Sequence, residues 1–238
     1  MPDGAATMTS RLAPGGGIAN RMRTLLAYAE ATRRRGLPTP AMAWERSIHA
    51  MPNLGCIAVE GVEIHDVDQL APDIIPIPGA LDMGIYFRAY GLPTPNRWEI
   101  SQIYRRVWFR ADVRAAAEEV DDYDLAMHVR MTDMASHDRI DSFLSVARTL
   151  RPRRIWLACD AEATYERFAT EFDLNEPPVF VPLPGHLRAT TTFDASVDLA
   201  ACARARYFVG TKVSSFSEMV LRLRSLHGGP GHVIAPRR

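Results

Sequence analysis

The sequence has few of the features that mark secreted, membrane-spanning or disulfide-rich proteins. Its 238 residues include three cysteines, at positions 56, 159 and 202, which are far apart and form no CxxC pair. We therefore expect a reducing, cytoplasmic environment. No apolar run of roughly 18 residues is present, so we expect no membrane span. The first residues, MPDGAATMTSRLAP, lack the apolar segment of a secretory signal.

The sequence also has no excess of charge of either sign, and it is poor in lysine. It carries 28 Lys and Arg against 28 Asp and Glu, and Lys212 is the single lysine. Proteins that bind nucleic acid generally concentrate positive charge to displace phosphate counterions, so we expect no nucleic-acid partner. Any anion site must therefore be local. Arginine, which supplies nearly all the positive charge, has a planar fork that suits phosphate.

Strand and helix signals alternate through the second half of the chain. Strands are predicted at residues 124–129 and at the segments RPRRIWLACD, VFVPL, YFVGT and HVIAP. Helices are predicted between them at residues 138–150, 161–172, 195–205 and 217–226. This succession predicts a parallel sheet with helices on both faces, as in a Rossmann-like unit. We place one domain at residues 1–122 and the Rossmann-like domain at residues 123–238, facing each other over a cleft.

The first half is less regular. A helix is predicted over residues 21–35, and short strands at CIAVEGVEI and DIIPIP. TSRLAP is a poor strand, DMGIYFRAYGLPTP is predicted to be mostly loop, and RWEISQIYRRVWFRADVRAAAEEV is predicted to form one or two helices. The glycines of PGGGIAN are not a dinucleotide fingerprint, because Asn20 replaces the third glycine of GxGxxG. They would let backbone approach an anion, although an ordinary tight turn explains them as well.

The stretch HVRMTD, residues 128–133, ends the first strand of the second half with three ionisable side chains. Side chains at positions i and i+2 of a strand share one face, so His128 and Arg130 should point the same way. Ligands of open α/β sheets bind beyond the carboxyl ends of the strands. The position therefore predicts a binding site, with helix capping or salt bridges as the alternative.

Further polar residues fall at the same predicted edge. Asp160 closes the strand IWLACD, and Asp198 lies in the helix before YFVGT. The loop after that strand carries four hydroxyls, those of Thr211, Ser214, Ser215 and Ser217. Hydroxyls and free N–H groups at a helix N-terminus form a natural phosphate site, which Arg130 could complete with bidentate hydrogen bonds. Simple capping by these side chains is the alternative interpretation.

Four segments, taken in order, carry a family resemblance. GGGIANRMR, HVRMTD, LACDAE and DLAACARARYFVGTKVSSFSEM resemble the GDP-fucose-dependent fucosyltransferase superfamily, which includes α1,6-, nodulation and protein O-fucosyltransferases. The match is close over about residues 123–226 and thin over residues 40–120. It implies an α/β, GT-B-like fold of two Rossmann-like domains. It also implies inverting transfer of fucose from GDP-fucose to an acceptor hydroxyl, without a metal or any cofactor beyond the nucleotide-sugar donor. The acceptor would be a glycan or a small molecule.

The resemblance assigns roles to the acidic and basic residues of these motifs. His128 and Asp198 correspond to residues that contact guanine, and Arg130 corresponds to the arginine on the β-phosphate that transfer requires. Asp138 stands where the α1,6 branch has its proposed general base. Asp160, the first aspartate after the next strand, is the alternative base.

The remaining predicted site residues are those that would surround the diphosphate. Ser214 and Ser215 correspond to the loop that holds it, and Gly17, Asn20 and Arg21 match the glycine-loop signature that closes over the donor from the opposite domain.

Two positions depart from the α1,6 pattern. Met131 stands where that branch has a second arginine, and Met134 where it has a lysine. A non-catalytic nucleotide-binding protein of the same fold therefore stays open as an alternative. A transferase that uses another GDP-sugar also stays open, because none of these motifs contacts the sugar ring.

Overall fold

The chain forms two parallel sheets and one antiparallel strand pair, connected and covered by eight α-helices within the described ranges. A computed structural model describes residues 11–14, 17–39, 41–45, 53, 55–67, 74–77, 82–131, 137–180, 190–226 and 232–234. No helix in these ranges has both the length and the apolar character that crossing a bilayer requires.

The N-terminal sheet has four parallel strands in the order β4-β2-β1-β5. They are β1 (Arg11–Pro14), β2 (Met42–Glu45), β4 (Ile64–Val67) and β5 (Ile74–Ile77). The prediction that TSRLAP is a poor strand was wrong, because its residues Arg11–Pro14 form β1, which lies inside this sheet. Its sequence has little strand propensity, but β2 and β5 pair with it on both sides and supply the backbone hydrogen bonds.

Helices and a short strand pair complete the first half of the chain. The helices are α1 (Ile18–Arg34), α2 (Gly84–Ala89), α3 (Arg97–Tyr104) and α4 (Ala111–Glu118). β3 (Ile57–Val59) pairs antiparallel with β6 (Val107–Phe109), which separates α3 from α4. The predicted loop over DMGIYFRAYGLPTP was wrong in part, because it contains α2. That short helix buries Tyr86 and Phe87 and packs on α1, where the rings of Tyr28 and Tyr86 lie 4.6 Å apart.

The C-terminal sheet has five parallel strands in the order β11-β10-β7-β8-β9. They are β7 (Leu125–Val129), β8 (Arg154–Cys159), β9 (Asp173–Leu174), β10 (Phe208–Thr211) and β11 (His232–Ile234). The parallel sheet predicted from the alternating pattern is confirmed, but the strand predicted at VFVPL is not the one that pairs with β8.

The partner of β8 is instead the two-residue strand β9. Asn175 ends it, because its side-chain oxygen accepts a hydrogen bond from the Leu157 backbone N–H at 2.6 Å and so replaces the next backbone partner. Phe180 forms only an isolated antiparallel bridge with Thr190, and residues 181–183 of VFVPL lie outside the described residues.

The helices of the second half cover both faces of this sheet. They are α5 (His137–Leu150), α6 (Glu162–Ala169), α7 (Thr192–Arg204) and α8 (Ser215–Ser225). Leu125, Met127 and Val129 of β7 pack in one hydrophobic cluster with residues of α5 and α6. Ala126 packs in the other cluster, with residues of α7 and α8. Because side chains alternate along a strand, His128 falls on the α7–α8 face.

Contacts also join the two halves of the chain. Helix α1 packs against α8, and Arg23 of α1 forms an ion pair with Glu218 of α8 at 2.9 Å. One hydrophobic cluster includes residues from both halves, such as Leu26 and Val220. The predicted boundary before residue 123 falls between a 3₁₀ turn, Glu119–Asp122, and β7. The division into two domains that face a cleft stays a prediction.

Candidate functional site

A pocket lies at the carboxyl edge of the C-terminal sheet, and residues of five elements, β7, β8, α1, α7 and α8, line it. Of the residues predicted from the sequence, it is lined by His128, Arg130, Asp160, Asp198 and Ser215. Ile18 and Ala19, at the start of α1, line it as well. The polar groups that the sequence placed at separate strand and helix ends are therefore neighbours around one cavity.

His128 is held in place from two sides. Its side chain is buried, and its ring stacks on that of Phe216, with centroids 4.4 Å apart and planes inclined by 24°. Its Nδ1 atom lies 2.7 Å from the hydroxyl of Ser217, within hydrogen-bonding distance. The orientation of the imidazole is therefore set by the first turn of α8.

Hydrogen bonds tie the chain after β7 to the neighbouring loops. The backbone N–H of Arg130 donates to Thr211 Oγ1 at 3.0 Å, and that hydroxyl donates to the His128 carbonyl at 3.0 Å. The backbone N–H of Met131 donates to Asp160 Oδ1 at 2.8 Å. The backbone at Arg130 is therefore held by hydrogen bonds to Thr211 on one side and, through Met131, to Asp160 on the other.

Met131 does not line the pocket. Its side chain is buried and packs in the hydrophobic cluster with Val129 and Phe143. Met134, the second departure from the α1,6 pattern, lies outside the described residues.

The two candidate bases differ in what the structure describes. Asp160 lines the pocket, and one of its carboxylate oxygens accepts the Met131 N–H. Asp138 is the second residue of α5, but its side chain lies outside the described residues. The choice between them as general base stays a prediction.

Asp198 is a buried carboxyl at the wall of the pocket. Its side chain is 7% exposed, and Oδ1 accepts a hydrogen bond from the indole N–H of Trp156 at 2.9 Å. Burial raises the pKa of Asp198 to about 7, against the lowering effect of the Trp156 hydrogen bond, and the nearby charge of Asp194 raises it further. A ligand that brings N–H donors to this carboxylate would favour its ionised form.

Ser215, at the start of α8, lines the pocket, whereas the predicted residue Ser214 does not. Ser214 is the N-cap and Ser215 the first helical residue. Ser214 is 2% exposed, and its hydroxyl oxygen has no hydrogen-bond partner among the described residues. Val213 just before it adopts a φ of 67°, which strains a β-branched residue. The sequence pattern gave no sign of this strained turn.

The N-terminus of α1 reaches the pocket through Ile18 and Ala19, whereas the predicted residue Gly17 does not line it. Gly17 is the N-cap, immediately before Ile18 and Ala19. Asn20 and Arg21 do not line the pocket. The guanidinium of Arg21 lies 4.6 Å from the centre of the Trp44 ring, and Asn20 Oδ1 is buried with no hydrogen-bond partner among the described residues. The roles of these residues in binding stay predictions.

No pattern in the sequence singled out Phe216 and Trp156, which contact His128 and Asp198. Both are aromatic residues on elements that look like ordinary core, so only their spatial neighbours mark them. Within the described ranges, no group of three or more His, Cys, Asp or Glu side chains is placed to hold a metal ion.

Comparison with solved structures identifies the fold. No family model matches the chain, and no curated protein is similar to it in sequence. The crystal structure of NodZ α-1,6-fucosyltransferase soaked with GDP-fucose matches 90% of this chain and 92% of its own, with 12% identity and a TM-score of 0.56. POFUT1 in complex with GDP matches 97% of this chain and 99% of its own, with 11% identity and a TM-score of 0.58. The chain has the fold of these fucosyltransferases.

A further POFUT1 structure and a NodZ structure from Bradyrhizobium agree with that result. POFUT1 in complex with GDP-fucose matches 98% of this chain with a TM-score of 0.52, and the Bradyrhizobium NodZ matches 89% with a TM-score of 0.56. The resemblance predicted from the four sequence segments is therefore confirmed at the level of the fold.

Proposed function

We propose that the chain is an inverting glycosyltransferase that moves fucose from GDP-fucose to an acceptor hydroxyl without a metal ion. The observation that carries this proposal is the convergence of His128, Arg130, Asp160, Asp198 and Ser215 on one pocket at the carboxyl edge of a parallel sheet. Structures of the same fold were obtained with GDP-fucose or GDP, which supports a GDP-sugar donor.

Guanine would be recognised at the buried side of the pocket. A carboxylate can accept hydrogen bonds from both the N1–H and the exocyclic amine of guanine, and adenine does not offer that pair of donors. Asp198 has the position and burial for this role, with Trp156 fixing one of its oxygens. His128 would contact the same base from β7.

The diphosphate would lie against the start of α8. The N-terminus of an α-helix attracts anions through its unpaired N–H groups and its dipole. Ser215 lines the pocket at this helix start, and Arg130 adds a positive charge at the pocket wall. Together these groups would stabilise the negative charge that develops on the departing β-phosphate.

The transfer step would be an in-line displacement at the anomeric carbon of fucose. The acceptor oxygen forms a bond to that carbon as the bond to the β-phosphate oxygen breaks, and the electron pair leaves with GDP. The acceptor proton passes to a carboxylate, Asp138 or Asp160.

We propose that the protein works in the cytoplasm, which is a reducing compartment. Cys56, Cys159 and Cys202 are buried and form no disulfide, which supports that location.

A panel of GDP-sugars tests the proposal. The enzyme is incubated with GDP-fucose, GDP-mannose or GDP-glucose, with and without EDTA, and release of GDP is followed. We expect release from GDP-fucose above the no-enzyme rate, unaffected by EDTA. Release from another GDP-sugar alone would assign a different donor, and GDP binding without release from any of them would point to a non-catalytic protein.

A further inference from the structure

We propose that a second pocket of this chain binds a small amphipathic anion, a carboxylate carried on an apolar body. The pocket lies between α3, β6 and α4 of the first half and the C-terminal ends of α7 and α8. Among the described residues, none lines both this pocket and the candidate site. Leu226, which lines the second pocket, and Ser215 of the candidate site lie at opposite ends of α8, about 16 Å apart along the helix axis. The inference is therefore independent of the proposed function.

Small side chains leave space for the apolar body. Ala117 of α4 and Ala200 and Ala203 of α7 line the pocket, where these two helices pack against each other. The pocket encloses about 420 Å³, and small-molecule sites typically enclose roughly 300–1,000 Å³. Trp108 of β6 forms part of the wall and is 49% exposed. An alkyl or aryl group bound here would cover this indole and remove apolar surface from water.

Two arginines of the same pocket carry positive charge that no carboxylate of the described residues neutralises. Arg105, at the end of α3, and Arg114 of α4 are exposed, and their guanidinium groups form no ion pair or hydrogen bond within the described ranges. By contrast, Arg204 in the same lining is paired with Asp121 at 2.9 Å. A guanidinium presents two parallel N–H groups to a carboxylate, so Arg105 and Arg114 favour a ligand with an anionic head.

An acidic side chain in the lining limits the charge of that head. Glu118 of α4 lines the pocket and forms no ion pair with Arg105 or Arg114. Its negative charge would repel a doubly charged phosphate more strongly than a carboxylate. Two arginines without partners and one glutamate leave an excess of one positive charge. The lining therefore suits a monocarboxylate better than a phosphate or a nucleotide.

Calorimetry with three probes tests the head and the body of this ligand separately. Decanoate has both, acetate has the head alone, and decyltrimethylammonium has the body with the opposite charge. We expect decanoate to bind at one site per chain, at least about 10-fold more tightly than either of the other two probes. Saturation with GDP should leave the affinity for decanoate unchanged, because the candidate site is separate.

Three variants place the binding in this pocket. Arg105→Ala combined with Arg114→Ala should weaken decanoate by about 10-fold without weakening decyltrimethylammonium. The matched control is Arg97→Ala on α3, because Arg97 is exposed and does not line the pocket, so decanoate should bind this variant as it binds wild type. Ala203→Leu puts a larger side chain into the cavity and should abolish decanoate binding, with thermal unfolding used to verify that the variant is folded.

Several results would overturn the inference. Equal affinities for decanoate and decyltrimethylammonium would show that the pocket does not select a negative charge. An unchanged decanoate affinity in the double arginine variant, or an equal loss in Arg97→Ala, would remove the two arginines from the site. Displacement of decanoate by GDP would place it in the candidate site, and binding at many sites per chain would indicate surfactant adsorption. Absence of GDP binding would count against the proposed function alone.

Discussion

Replacing Asp198 by asparagine should stabilise the unliganded protein at alkaline pH while weakening its recognition of guanine. Asparagine keeps the size of the side chain and an oxygen that can accept the Trp156 N–H. It removes the negative charge that is costly to bury in the absence of a ligand. The gain in stability and the loss in binding would therefore come from the same carboxylate.

The magnitude follows from the pKa of Asp198, which burial raises from 3.8 to about 7. Between these two pH values the unfolded state ionises while the folded state keeps the proton, so stability falls as pH rises, by about 1.4 kcal/mol per pH unit. The loss of stability begins as the pH rises above the pKa of Asp198 in the unfolded state and is complete above its pKa in the folded state. Between pH 5 and pH 8 it should amount to about 2.5 kcal/mol. Asparagine does not titrate, so the variant should lack this component.

Urea unfolding of both proteins at pH 5 and pH 8, without nucleotide, measures the effect. The free energy of unfolding of Asp198→Asn, relative to wild type, should be higher at pH 8 than at pH 5 by about 2.5 kcal/mol. Calorimetry at pH 8 should show weaker GDP binding in the variant. An equal difference in stability at the two pH values would refute the reasoning, because it would mean that Asp198 ionises as readily in the fold as in the unfolded chain.

Three further predictions concern the neighbouring groups. Arg130→Ala should lower the rate of GDP release from GDP-fucose by at least about 100-fold, and a variant that keeps a tenth of the wild-type rate would remove Arg130 from the mechanism. Trp156→Phe removes a donor that lowers the pKa of Asp198, so the pH midpoint of GDP binding should move upward in calorimetry between pH 6 and pH 9; an unchanged midpoint would contradict this. Gly210→Ala should lower the free energy of unfolding in urea by roughly 1–3 kcal/mol, because its Cβ would clash with the Ser217 hydroxyl and the Phe208 ring, and an unchanged free energy would contradict this.

The second half of the chain was predictable because its elements follow one another as in other parallel sheets. Buried strands such as β7 are apolar on both faces, and the helices between them show a single apolar stripe. The polar residues of HVRMTD stood out against this pattern, at the strand end where ligands bind. The alternation of strand side chains also predicted that His128 would face away from Val129 and Met131, which pack together in the other hydrophobic cluster.

Elements whose structure depends on their neighbours could not be predicted in this way. β1 has little strand propensity and exists because two parallel strands enclose it. The strand expected at VFVPL does not pair with β8, because β9 pairs with β8 instead. The Asn175 side chain then ends this pairing. α2 is short and contains glycine at its first position, and its aromatic contacts with α1 hold it in place.

The residues that contact and position the candidate site residues could not be predicted from the sequence for a related reason. Phe216, Trp156 and Gly210 look like core or loop residues in the sequence. Their importance depends on the register of β10 against β7 and on the approach of α7 and α8 to the sheet. These contacts join residues that are far apart in the sequence, and no local pattern records them.

A crystal structure with bound GDP tests the central claim most directly. The account predicts guanine between His128 and Asp198, with the β-phosphate within hydrogen-bonding distance of the Arg130 guanidinium and the Ser215 backbone N–H. GDP bound at another surface, or in this pocket with the base directed away from Asp198, would contradict it.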